Sequence, residues 1–395
     1  MVSVRKLALL ASVAVGLACP AFAFAAEETP SGATILVDAS ETVLARVVDV
    51  VSQERRPVPG TGIETDFQVV QAEILEGSQK GKIVKIENDY LSLREGEKFY
   101  VIHTTDALSR LERYAIGGPY RLPQLLTLTV AFVLLTLLIG GAQGFRGLLS
   151  LAGSLALIVF VLFPAVLAGY PPVLVATGVC ALIVVVGSYV THGFRRATSA
   201  AVIGMVITVA VTGALASFAV GWTRLSGFSD EAATYLNLNT GGSLDMAGLL
   251  LGGIMIGLLG VLYDAAIGQS VSVEELARVA PHASRALVFQ RATRIGREHI
   301  GALVNTLAIA YVGASLPLLL YFYLSPTATL AGVANMEIFA VEIVRTMIGS
   351  IGLVLAVPIT TAVSVRMLMR KPSAPADAAT LEKERHALEH AGHSH

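Results

Sequence analysis

From Leu122 onward, seven stretches of predominantly apolar residues follow one another, near 122–142, 147–168, 172–191, 198–221, 246–268, 299–324 and 343–368. Each is long enough to cross a hydrocarbon layer of about 30 Å. A chain built this way is expected to fold as an α-helical bundle in a bilayer, because a helix satisfies its own backbone polar groups where water cannot. Composition agrees: 54% of the 395 residues are hydrophobic and 14% charged, against about 25% charged in an ordinary soluble domain. The formal net charge of −1 offers no basic face for phosphate, so nucleic acid is not an expected partner. The lipid bilayer is.

The short connectors carry an orientation signal. One alternating set holds Arg146, Arg195, Arg196, Arg278, Arg285, Arg291, Arg294, Arg297, Arg366, Arg370 and Lys371, whereas the other set holds only Arg224. The positive-inside rule makes the first set cytoplasmic, and with it the tail 369–395. Arg110, Arg113 and Arg121, just before the first span on the outer side, are the exception. The N-terminus reads as a cleavable signal over 1–25, with Arg5 and Lys6, an apolar run to Ala18, and Ala23-Phe24-Ala25. Lipid attachment at Cys19 and an uncleaved anchor are the competing readings; Gly16 and Pro20 suit the first poorly and the short run suits the second poorly. The other cysteine, Cys180, lies in a span, so neither a disulfide framework nor a redox or CxxC metal site is expected.

Residues 34–103 differ in kind. Their short β-branched runs, "ETVLARVVDVV", "DFQVVQAEIL", "GKIVKIEND" and "EKFYVIH", are separated by Gly- and Pro-bearing turns. They predict a small extracytoplasmic all-β domain of four or five strands, OB-like or another small barrel. No series of aromatic residues forms a nucleic-acid stacking platform; a protein or ligand contact stays open, with a mere spacer as the plainer reading. The whole predicts a seven-helix transmembrane domain over 122–368 preceded by this β-domain.

One carboxylate stands inside an apolar stretch. On a helix at 100° per residue, Gly253, Gly257, Gly260 and Asp264 fall at about 0°, 40°, −20° and 20°. A glycine stripe suggests close helix packing, so Asp264 is expected to face protein or a wet cavity. Spans five, six and seven share their inner ends, which would bring Asp264, Asn305, Thr306, Thr360 and Thr361 together as a transport or structural polar cluster. In the seventh span, Glu342, Arg345, Gly349, Gly352, Ala356 and Thr360 lie on one face, with Glu342 and Arg345 at the outer end as a candidate ion pair; Glu337 is the other candidate partner of Arg345. Pro317 and Pro358 mark candidate breaks. A plainer reading makes Asp264 a snorkelling side chain or hydrogen-bonding glue.

Three segments, "GLLGVLYDAAIGQSVSVEEL", "IGREHIGALVNTLAIAYVGASLPLLL" and "VEIVRTMIGSIGLVLAVPITT", together resemble the YibE/F-like family of bacterial multi-span membrane proteins. The resemblance implies an integral plasma-membrane protein with an extracytoplasmic β-rich segment, permease-like in hydropathy, and implies no particular reaction. Asp264, Asn305, Glu342, Arg345 and Pro358 lie within those segments.

Enzymatic readings fare poorly. An intramembrane aspartyl protease needs a second membrane aspartate, and Asp245 falls at a span end. Walker A and HExxH sequences are absent, and so is a GxSG turn with a membrane histidine. No cofactor is expected. In the tail, His386 and His390 have the i, i+4 spacing of a weak metal pair, with a solvated terminus as the plainer reading. The arginine-rich connector 269–298 suits an amphipathic helix on anionic lipid or a protein partner. Two functions therefore stand: a permease for a small solute or ion, and a scaffold or sensor coupling the β-domain to that connector.

Overall fold

The computed structural model describes residues 39–369, apart from 58, 59, 61, 63, 90, 107, 108, 110 and 326–328, together with residues 382–384. The expected signal 1–25, Cys19, His386 and His390 lie outside the described residues. The chain divides into two compact units, Met1–Thr136 and Leu137–His395.

The first unit holds an antiparallel sheet of five strands: β1 (Ala39–Pro57), β2 (Glu64–Ile74), β3 (Ile83–Asn88), β4 (Lys98–Thr105) and β5 (Glu112–Pro119), in the order β3-β2-β1-β4-β5. β1 spans 19 residues and pairs its first half with β4 and its second with β2. Bulges at Val48 and Val51 increase the local twist, and the sheet curls far enough for its edge strands β3 and β5 to touch. Alternate residues Val43, Ala45, Val47, Val70, Ile86, Phe99 and Val101 fill the concave side. Gln68 is buried among them with its polar atoms satisfied: its amide donates to the Leu93 carbonyl at 3.1 Å, and its oxygen accepts from Leu93 N–H at 2.8 Å and Asn88 at 3.1 Å. β5 lies past the residue-103 boundary expected from sequence. Arg113 thus belongs to a strand, which removes it from the connector before the first span.

The remaining described chain is mostly helical. A 46-residue run, Leu122–Leu167, comprises α1 (Leu122–Leu157), a π-helical turn at Ile158–Leu162 and α2 (Phe163–Leu167). There follow α3 (Pro172–His192), α4 (Arg196–Trp222), α5 (Glu231–Asn239), α6 (Met246–Val279), α7 (Arg285–Ala314), α8 (Leu316–Tyr323), α9 (Leu330–Ala334) and α10 (Glu337–Leu368). Among the described residues five helices are long and apolar enough to cross a membrane, or six if α7 and α8, bent by 68°, make one crossing. The expected seven counted Leu122–Leu167 as two spans and the α7–α8 pair as one. The first two expected spans form one apolar run of two helices that meet across a kink at Gly141 (φ 53°, ψ −134°), where the expected 122–142 stretch ends. The sixth is broken at Ser315, where Pro317 begins α8 without an N–H to continue the α7 ladder. Pro358, by contrast, lies inside a continuous α10.

Within the second unit, α4, α6 and α10 pack against one another, with α3 and α7 against their sides. α4 and α10 run antiparallel at close range. A Cβ at Gly204 would stand 2.7 Å from Thr360 Oγ1, and one at Gly352 would stand 2.7 Å from Thr212 Oγ1. Small residues allow that approach, the usual device where lipid removes the hydrophobic drive between helices. The face of α10 expected from sequence is the buried one: Gly349, Gly352, Ala356 and Thr360 are all covered. On α6 the reverse holds. Leu251, Met255, Leu258, Leu262 and Ala266 are buried, while Gly253, Gly257, Gly260 and, with them, Asp264 are exposed.

The segment 269–298 is also not a separate amphipathic helix. α6 runs on to Val279 and α7 starts at Arg285, so the segment forms the end of a helical hairpin. Val273, Leu276, Ala280, Val288 and Ala292 build a small core there with Val365 and Met369 of α10 and its C-cap.

Candidate functional site

Asp264 lies on the α6 flank nearest α7. The buried ridge of α6 sets its rotation: Leu262, two residues back, points into the bundle, which turns Asp264 about 200° away from it. There the carboxylate borders a cavity of about 290 Å³ between α6, α7 and α10. Its polar lining is Asp264, Gln269 and Ser272 from α6 and His299 from α7, and Val357 supplies the α10 wall. Small residues make the space, with Gly268 and Gly296 on the facing helices. At Gly296 the helices are so close that a Cβ would stand 2.5 Å from both Gln269 Oε1 and Val357 Cγ1.

Gln269 is buried and fixed, its Nε2 donating to the Ala292 carbonyl at 2.6 Å. Ser272 donates to the Gly268 carbonyl at 2.9 Å. Asp264 interacts electrostatically with His192 at the end of α3, and the His192 ring lies 5.8 Å from the ring of Tyr263. The Tyr263 hydroxyl is buried beside Ser188 and Thr191 of α3. The neighbourhood thus offers one carboxylate, two imidazoles, an amide and several hydroxyls, a set suited to holding a proton, a cation or a small polar solute.

The five residues expected to cluster do not meet. Asn305 and Thr306 are exposed on α7, and Thr306 donates back to the Ala302 carbonyl at 2.9 Å. Thr360 is buried in the α4–α10 seam over Gly204, its hydroxyl without a hydrogen-bond partner among the described residues. Thr361, one turn past Val357, bonds to the Val357 carbonyl at 2.6 Å. Only Asp264 borders the cavity. Gln269, Ser272 and His299 were not singled out by sequence, although Gly268, Ser272 and His299 fall at the i, i+4 and facing positions that a hairpin between spans five and six would have supplied.

At the other end of α10, Arg345 Nη1 donates to Glu342 Oε1 at 2.7 Å, and both side chains are about a quarter exposed (27% and 26%). The guanidinium lies 5.8 Å from the Tyr311 ring centre on α7. Glu342 is 15 residues from Val357, about 22 Å along the helix, so the pair is separate from the cavity. Glu337 serves elsewhere: its carboxylate accepts from Ser226 N–H at 2.8 Å and Gly227 N–H at 2.7 Å, tying the start of α10 to the loop after α4. Among the described residues no group of three His, Cys, Asp or Glu could hold a metal ion.

The β unit carries its own polar cluster, which sequence reasoning missed. Lys82 Nζ and Tyr114 Oη each donate to Glu112 Oε2 at 2.7 Å, and Gln79 Nε2 donates to Glu112 Oε1 at 2.8 Å. The Lys82 and Tyr114 bonds hold the Glu112 carboxyl down to about 2, and Glu112 raises the Lys82 ammonium above its ordinary range. His103 stacks on Tyr114 at 4.9 Å. These residues join the β2–β3 turn to β4 and β5 across the curl of the sheet.

No curated protein and no solved structure matches the chain. A family model described as YibE/F-like protein matches residues 128–370. That match spans more than half of the sequence and nearly all of the helical bundle, and the chain belongs to the YibE/F-like family.

Proposed function

We propose that this protein is a permease-like membrane protein that passes a small solute or ion through the cavity beside Asp264. The observation that carries the reading is the cavity itself, about 290 Å³ with a carboxylate and an imidazole on facing helices, near the lower end of ligand-site volumes. α6 has 34 residues, about 51 Å, against a hydrocarbon thickness of about 30 Å. Asp264 stands 18 residues from its start, about 27 Å along. A span entered at Met246 therefore leaves Asp264 at its far interface, with the α6–α7 corner in water beyond. The arginine distribution makes that side cytoplasmic, the C-terminus with it, and the β-domain extracytoplasmic in a bacterial plasma membrane. The Gly141 break divides Leu122–Leu167 into lengths of about 30 and 39 Å, each enough for a crossing. The order β3-β2-β1-β4-β5 with contact between the edge strands supports an OB-like small barrel. We assign no enzymatic step to the chain.

The second reading is a scaffold or sensor that couples the β-domain to a cytoplasmic partner. The observation favouring it is the α6–α7 corner, which has a core of its own and exposes Arg294 and Arg297. An ion-flux and pH-jump screen in liposomes, comparing the natural chain with Asp264→Asn, tests the choice. Flux abolished by the substitution is the expected result. Absence of flux from both chains, each shown folded, refutes the permease and leaves the scaffold.

A further inference from the structure

Residues 370–383 separate the end of α10 from Glu384, yet Glu384 is only 8% exposed. It is covered because its carboxylate sits on the corner between α6 and α7. The His282 backbone N–H donates to Glu384 Oε2 at 3.1 Å, and His282 Nδ1 lies 2.7 Å from Oε1, where the ring donates with its proton on that nitrogen. A carboxylate loses much of its hydration on such burial and is retained only where donors replace the water. A backbone N–H and an imidazole on one residue do so here, in the bidentate manner of charge-assisted pairs. The same corner holds the root of the tail, since Arg285 Nη2 donates to the Met369 carbonyl at 3.0 Å and Met369 is buried in the corner core.

We propose that the α6–α7 corner is the docking site of the chain's own C-terminal segment, with Glu384 as the anchoring residue, and that the docked tail clamps the helical hairpin bordering the Asp264 cavity. His282 lies in the short turn 280–284, whose movement would be needed for α6 and α7 to separate around Gly268 and Gly296. A tail fixed at both Met369 and Glu384 opposes that movement. The clamp stands whether or not the cavity transports anything, and its test reads conformation alone.

The experiment is hydrogen exchange by mass spectrometry on the full chain in detergent, with limited proteolysis beyond residue 370, for the natural protein, Glu384→Gln, His282→Gln and the double variant. Glu384→Gln keeps size and hydrogen-bonding shape while removing the charge. The expected result is exchange in 280–290 roughly tenfold faster in either single variant, the factor for one charge-assisted hydrogen bond of ~1.4 kcal/mol. The tail should be cut faster, and the double variant should add nothing. Tail cleavage that rises with no change in 280–290 would overturn the clamp, and so would exchange unchanged in all variants.

Discussion

Gly204→Ala in α4 should destabilise the bundle, whereas Gly253→Ala and Gly260→Ala in α6 should not. A Cβ at Gly204 would stand 2.7 Å from Thr360 Oγ1, 2.8 Å from its Cα and 3.0 Å from its Cβ. Carbon pairs rest at about 3.5–4.0 Å, so α4 and α10 must part by about 1 Å. Rotating Thr360 relieves only the hydroxyl, because its Cα belongs to the helix backbone. The upper end of the overpacking range, about 3 kcal/mol, therefore applies, offset by about 1 kcal/mol from the better helix propensity of alanine. The net expectation is a loss of about 2 kcal/mol. At Gly253 and Gly260 a Cβ meets nothing within 4 Å, leaving only the propensity gain of at most about 1 kcal/mol. Reversible unfolding in mixed micelles, followed by circular dichroism, measures all three. Gly253→Ala costing more than Gly204→Ala would refute the reasoning, and would return the packing face of α6 to the Gly253, Gly257, Gly260 and Asp264 stripe.

Gly227→Ala should be more damaging than an average loop change. The residue has φ +88°, and a Cβ would run into the Met246 carbonyl, so strain and clash together should cost about 2 kcal/mol or more in the same unfolding assay. In the β unit, Glu112 is held down from its ordinary 4.5 to about 2. A depressed carboxylate contributes stability that is full above the unfolded value and lost as pH falls through the folded one. Hydrogen exchange in β4 and β5 should therefore quicken between about pH 4.5 and 2 in the natural chain, and Glu112→Gln should flatten that dependence. Lys82, raised by the same contact, should give the mirror effect at high pH: stability full below its unfolded value and lost as pH climbs through the raised one.

What the sequence revealed and what it concealed divide along physical lines. Length and hydropathy report transfer free energy, which adds up residue by residue, so the helical bundle and the strands β1 to β4 were legible. The break between the first two stretches was legible too, since the kink falls at Gly141, whereas the bend between α7 and α8 was marked only by Pro317. Faces were the least legible. In α10 the small residues and the buried face coincide, but in α6 the packing side is made of Leu251, Met255, Leu258 and Leu262, and the glycines fall opposite. A glycine stripe permits close approach without compelling it. The expected polar cluster failed for the same reason: equal depth along three helices says nothing about their rotation, and Thr360 turns toward α4 while Asp264 turns toward α7.

That rotation separates two kinds of polar residue which composition treats alike. Thr306 and Thr361 each donate to the carbonyl four residues back on their own helix, so they enter an apolar environment at little cost and need nothing from a neighbour. An aspartate cannot do this. Ionised, it only accepts, and in mid-helix every backbone N–H is already bound to a carbonyl. Asp264 must draw its donors from another element or from water, and among the described residues no hydrogen bond or ion pair holds it. Its neighbours are His192, which reaches it electrostatically, and a cavity whose far wall carries His299. Asp264 is exposed and borders that space, so its solvation depends on what fills the space beside it. That dependence is why Asp264→Asn, which replaces the charge with a donor while keeping the shape, is the substitution that separates a residue working on a mobile ion from one that only packs.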